Sequence, residues 1–134
     1  MTPSDQGLLL LRKAAQDLAV LEKLINDPEI SDETLGYHAQ QAAEKCLKAL
    51  LASRKLDYPR SHSIGLLLDL LEAQGFVLPQ EFQELELFTP FGTIFRYDEL
   101  PLEEPQDRSR WPLLIKELYA FAVLKVRNSG DQPY

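Results

Sequence analysis

The sequence is poor in cysteine, in long apolar runs and in positive charge. Cys46 is the only cysteine, so no disulfide can close within the chain, and such a chain is expected in a reducing cytoplasm. No apolar stretch approaches the roughly 18 residues that a membrane-spanning helix needs. The longest tight runs are 8–11 and 64–71, and Gly65 and Asp69 interrupt the second. The N-terminus lacks the basic start, apolar stretch and cleavage site of a secretory signal, so none is expected. Basic side chains number 14 against 21 acidic, a net charge of −7. General nucleic-acid binders carry a basic excess, as do proteins that dock on anionic lipid, and the bulk composition fits neither. The six glycines stand singly, which excludes a glycine-rich phosphate loop, and no serine sits in a nucleophile elbow. His38, His62 and Cys46 do not form a ligand cluster, so neither a metal nor another cofactor is expected.

What remains is ordinary globular composition: 134 residues, 45% hydrophobic and 26% charged. That length predicts a single domain, 1–134, with one core. Nine prolines punctuate it, and because proline breaks helix interiors the gaps between them bound the helices. In the gap 4–27, Leu11, Ala14, Ala15, Leu18, Leu21 and Ile25 recur at helical spacing. In the gap 29–58, Ser31 is a suitable cap, Asp32 and Glu33 suit the positive helix end, and Leu35, Ala39, Ala42, Cys46 and Ala49 form a stripe of mostly small residues. A third helix begins near Ser61 or Ser63, carries Ile64, Leu67, Leu68 and Leu71, and ends by Gly75. A fourth covers roughly 80–87, with Phe82, Leu85 and Phe88 in register. A fifth begins near Asp107 or Ser109, with Pro112 in its first turns, and ends near 127–128. The aromatic stretch 91–97 is too short and too proline-flanked for a strand and reads as a structured loop. The fold class is all-α, an up-and-down bundle of four to five helices.

Charge is segregated along the chain. Residues 1–36 carry net −4, residues 37–68 net +3, residues 69–107 net −9 and residues 108–134 net +3. If the second and fifth helices are neighbours, a small positive groove forms on an acidic protein; otherwise these are solvated faces balanced by nearby acids.

On the second helix, His38, Gln41, Lys45 and Lys48 are spaced by three, four and three, which aligns them on one stripe. Two readings stand. The stripe contacts phosphates or a nucleobase through ammonium, amide and imidazole groups, or its lysines pair with Glu44 or with acids of another element. His62, beside Arg60 at the start of the third helix, is a binding candidate or a local hydrogen-bonding group. Arg96 is the one basic residue of the block 69–107. It is a loop contact for phosphate or guanine, or an ion-pair hub. Tyr97 beside it stacks on a base or plugs the core. The aromatics Phe88, Phe91, Phe95, Tyr97 and Trp111 either close the end of the bundle or form a subunit contact.

The segment 37–51, Tyr-His-Ala-Gln-Gln-Ala-Ala-Glu-Lys-Cys-Leu-Lys-Ala-Leu-Leu, resembles the second-helix signature of the HEPN domain family. Residues 14–18 resemble that family's first helix, 59–67 the start of its third, and Phe95-Arg96-Tyr97 the Arg-Tyr pair ahead of its last long helix. The resemblance implies a bundle of four to five helices and a homodimer. It further implies one of two activities. Many members are ribonucleases with an arginine followed four to six residues later by a histidine, and others bind RNA or nucleotides without catalysis. Many short members work beside a minimal nucleotidyltransferase in a two-component, toxin–antitoxin-like system. Here no histidine follows Arg96, and Arg54 and Arg60 precede His62 by eight and two residues, so the ribonuclease pattern is not met. The expected role is that of a non-catalytic partner of a minimal nucleotidyltransferase that offers a nucleotide or RNA groove. The alternatives are a divergent ribonuclease using His38, His62 and Arg96, and a protein-interaction scaffold without a ligand.

Overall fold

The structure is a computed structural model that describes residues 2–92 and 107–130, and all of their regular structure is helical. Helix α1 spans Pro3–Leu24, α2 Asp32–Ser53, α3 Ile64–Ala73 and α4 Trp111–Gly130. A 3-10 segment runs from Gln80 to Gly92, and a single 3-10 turn, Arg108–Arg110, leads into α4.

The helix starts follow from local chemistry. Thr2 caps α1: its hydroxyl accepts from the Asp5 amide at 3.0 Å, and the Asp5 carboxylate accepts from the Thr2 amide at 3.1 Å, with Pro3 in the first helical position. Ser31 caps α2 by accepting from the Thr34 amide at 3.1 Å. Ser63 caps α3 by accepting from the Leu66 amide at 3.2 Å. Helix α2 ends in a Schellman motif: the Leu56 amide donates to the Leu51 carbonyl and the Lys55 amide to the Ala52 carbonyl, each at 3.0 Å. The residue in the left-handed position of that motif is Lys55, at φ 61°, where a side chain costs about 1–2 kcal/mol relative to glycine.

Helix α2 is the central element, packed by α1, α3, α4 and the 3-10 segment. Its residues Leu35, Ala39, Ala42, Cys46, Leu47, Ala49 and Leu50 are fully buried. Each of the leucines contributes about 1.5–3 kcal/mol of burial, while the small residues let the neighbouring helices approach. Gly7 of α1 lies against Ala49, Ser53 and Val126, and the turn after α1 meets the start of α4 through Arg108. Helix α1 is therefore antiparallel to both α2 and α4, and α2 and α4 run parallel.

The fourth expected element is corrected. It is not an α-helix over 80–87 but a 3-10 run through Gly92. Its buried residues, Phe82, Leu85, Phe88 and Phe91, recur every three positions, the period that puts side chains of a 3-10 helix on one face. Thr89 turns back to cap α3, accepting from the Ile64 amide at 3.0 Å. Phe88 and Phe91 meet Trp111 edge-on, with ring centroids 5.3 and 5.7 Å apart. These three aromatics close the end of the bundle, whereas Phe95 and Tyr97 lie outside the described residues. Gly36 is what lets Phe91 in: a Cβ there would fall 2.4 Å from the ring.

Candidate functional site

The polar stripe of α2 is built around two carboxylates. Asp17, in the middle of α1, faces α2 across the antiparallel contact. One of its oxygens lies 3.0 Å from His38 Nδ1 and the other 2.6 Å from Lys45 Nζ. His38 and Lys45 are seven residues apart, two turns on nearly the same line of the helix, so both reach one acid. The carboxylate only accepts, so the imidazole nitrogen that faces it is the protonated one, and Nε2 carries the lone pair in the neutral ring. About three-quarters of each side chain, His38 and Lys45, is buried.

Glu44 organises the second group. It is 7% exposed and accepts from Gln40 Nε2 at 2.9 Å, from His62 Nδ1 at 2.8 Å and from Lys48 Nζ at 3.0 Å. Gln40 also donates to the His62 carbonyl at 3.1 Å and accepts from Gln41 Nε2 at 2.7 Å. Gln40, Glu44 and Lys48 are spaced by four and form a line beside that of His38 and Lys45. Burial raises the Glu44 carboxyl, but the hydrogen bonds from Gln40, His62 and Lys48, with the lysine charge, outweigh it, and the group is held below its ordinary range. Lys48 also lies 5.4 Å from the centre of the Tyr58 ring.

The four-residue stripe read from spacing is thus divided. His38 and Lys45 turn to α1, Lys48 turns to Glu44, and Gln41 joins the Glu44 group through Gln40. Of the two readings of the lysines, pairing with Glu44 and with an acid of another element is the arrangement present. His62 is drawn to the same carboxylate as Lys48 and fastens the chain ahead of α3 to α2. Arg60 is exposed and forms no ion pair among the described residues. Arg96 and Tyr97 lie outside the described residues. Cys46 is fully buried and its thiol is pushed up by burial and by the Asp17 charge, so it is no nucleophile. Among the described residues no group of histidine, cysteine and acids is placed to hold a metal ion, every buried side-chain polar atom has a partner, and no helix is long and apolar enough to cross a membrane.

Helices α2 and α4 are neighbours, as a positive groove between them requires. Because they run parallel, the basic residues that converge are those near their C-terminal ends, Arg54, Lys55 and Lys125, which line one cleft and stand apart from the His38–Lys48 stripe.

Spacing did not single out Arg108. Its guanidinium donates to the carbonyls of Ile25, Asp27 and Ile30 at 3.1, 2.8 and 2.6 Å and to the Asp32 carboxylate at 3.0 Å. The available signal was its place: an arginine at the positive end of a helix is unfavourable unless other acceptors hold it.

Comparison with curated proteins and with solved structures finds no match. The family model of the HEPN domain matches residues 8–126, a span that takes in both carboxylate groups, all of α2 and α3 and most of α1 and α4, and the chain belongs to the HEPN domain family.

Proposed function

We propose that this HEPN protein is a non-catalytic, single-domain, homodimeric partner of a minimal nucleotidyltransferase, acting in the cytoplasm in a toxin–antitoxin-like pair. The observation that carries the reading is the internal neutralisation of α2: Lys45 ends on Asp17 and Lys48 on Glu44. Paired cations grip a phosphate backbone weakly, because a ligand must displace a carboxylate already in place. The missing histidine after Arg96 supports the same reading. Leu113 and Leu124 on α4, each 58% exposed, supply apolar surface for a subunit contact. Any nucleotide or RNA contact made by His38, Gln41, Lys45, Lys48, Arg60, His62, Arg96 and Tyr97 is then auxiliary to the protein partnership.

The test is affinity capture of the tagged chain from its own organism. Repeated recovery of a short nucleotidyltransferase is expected, and repeated captures without one overturn the reading. Light scattering that gives a monomer at every concentration removes the homodimer.

One observation favours a second reading, a divergent ribonuclease. Asp17 holds His38 by Nδ1, the arrangement in which an acid orients a general base. RNA cleavage that survives a chelator and disappears in His38→Ala would establish it, and intact RNA after incubation with the clean wild-type protein would eliminate it.

A further inference from the structure

The 3-10 segment and α4 are joined by aromatic edges. Phe82 meets Phe121 with ring centroids 5.4 Å apart, and Phe88 meets Trp111 at 5.3 Å. Between the two elements runs a groove of about 250 Å³. The buried Trp111 and Leu114 form its floor. Its walls are regular. Glu81, Glu84 and Leu87 recur every three positions along the 3-10 segment, the spacing that stacks side chains on one face. From α4 come Leu113 and Glu117, one turn apart. Leu87 is 40% exposed and Leu113 58%.

The groove is acidic. Glu81, Glu84 and Glu117 are exposed, and among the described residues none of them is ion-paired. Asp107 also lines the groove, but its carboxylate accepts from the Ser109 hydroxyl at 2.6 Å and from the Ser109 amide at 3.2 Å. Arg110 is the one base of the lining. Three unengaged carboxylates therefore stand against one cation, in a wall drawn from the block 69–107 of net −9. Exposed acids by themselves keep a protein in solution. Solubility does not account for two leucines left in water between carboxylates, over a floor that is already apolar.

We propose that this groove receives a basic amphipathic helix of a partner protein. Two apolar side chains one turn apart on that helix seat against Leu87 and Leu113. Lysines or arginines on its flanks reach Glu81 and Glu84 on one side and Glu117 on the other. The described residues contain no strand, so an extended peptide has no sheet edge to pair with there, and a channel between two helical ridges suits a third helix. The inference does not rest on the nucleotidyltransferase partnership. Leu87 separates it from the subunit contact proposed for α4, to which Leu113 also belongs.

The test is calorimetric titration of the full chain at low salt with a synthetic helical peptide of leucine, alanine and lysine, its leucines on one face and its lysines on both flanks. Saturable binding is expected. Glu81→Gln combined with Glu84→Gln should weaken it about fivefold, the loss of two exposed ion pairs. Leu87→Ser should weaken it about tenfold, the loss of one apolar seat. Glu22→Gln combined with Glu29→Gln changes the net charge equally at exposed positions outside the groove and should leave the affinity unchanged. The proposal is overturned if the peptide gives no saturable signal, or if the Glu22 and Glu29 pair weakens binding as much as the Glu81 and Glu84 pair. A peptide of the same composition in scrambled order that binds as tightly also overturns it, since charge alone then suffices. Light scattering supplies the last arm. If Leu87→Ser turns a wild-type dimer into a monomer, the groove is a contact between two copies and the partner helix is overturned, whereas an unchanged mass supports it.

Discussion

The two ends of this bundle use cations in opposite ways. Where α1 turns into α2, Arg108 is spent entirely on structure, with three carbonyls and the Asp32 carboxylate around one guanidinium. Where α1 begins and α2 and α4 finish, Arg54, Lys55 and Lys125 line a cleft together with Asp5, and among the described residues none of the three is ion-paired. Arginine at the first end replaces hydrogen bonds that the turn cannot make for itself. At the second end the caps already satisfy the backbone: the Schellman bonds finish α2 and the Thr2–Asp5 box starts α1. Net charge per segment cannot tell these cases apart, because a positive side chain counts the same in both.

The contrast breaks most readily at Arg108. Arg108→Ala is expected to lower stability by about 2–4 kcal/mol, since it removes four hydrogen bonds to part-buried acceptors at once. Arg54→Ala should cost about 1 kcal/mol or less, the loss of its contact with the Phe76 ring. Urea unfolding of both variants measures the difference, and equal losses would erase the distinction. Arg108→Lys should recover less than half of the loss, because one ammonium cannot span four acceptors in the plane of a guanidinium.

A smaller effect lies midway along α2. Glu44→Gln removes a carboxylate that three donors surround, and is expected to cost about 1–2 kcal/mol at neutral pH. The folded protein holds this carboxyl below its ordinary range, so its contribution is present above the unfolded value and is lost as pH falls through the lower, folded one. Wild-type urea midpoints should therefore drop on the acid side of the ordinary glutamate range more steeply than those of the variant. Parallel curves would mean that the group does not feel its donors.

The smallest change sharpens the open end. Lys55→Gly relieves the left-handed lysine and should add about 1 kcal/mol, a rise of roughly 3–5 °C in melting temperature for a chain of this size. A fall in melting temperature would mean that the lysine side chain holds the structure together after all.

The α-helical frame was legible because its signals are local. Ser31 and Ser63 mark helix starts, and the stripes of the first, second and last helices follow the period of 3.6. The 3-10 segment was half legible: Phe82, Leu85 and Phe88 were seen in register, but a spacing of three over two turns also fits an α-helix. It becomes diagnostic only when Phe91 extends it. The site was less legible. Lys45 and Lys48 sit three residues apart on one helix, yet they belong to different carboxylates, because α1 contributes Asp17 on one side and α2 contributes Glu44 on the other. Spacing within a helix cannot reveal which acid a neighbouring helix supplies. Arg108 was hidden for the same reason, since its acceptors lie at least 76 positions away in sequence.

Cys46 offers a practical consequence. Its sulfur has no solvent exposure and is the only thiol of the chain, so a thiol-reactive dye can attach only when the helices around it part. Labelling rates in native buffer would read the opening equilibrium at the centre of the molecule directly. The native sequence thus carries a single-site clock for breathing of its own interior, with no engineered probe required.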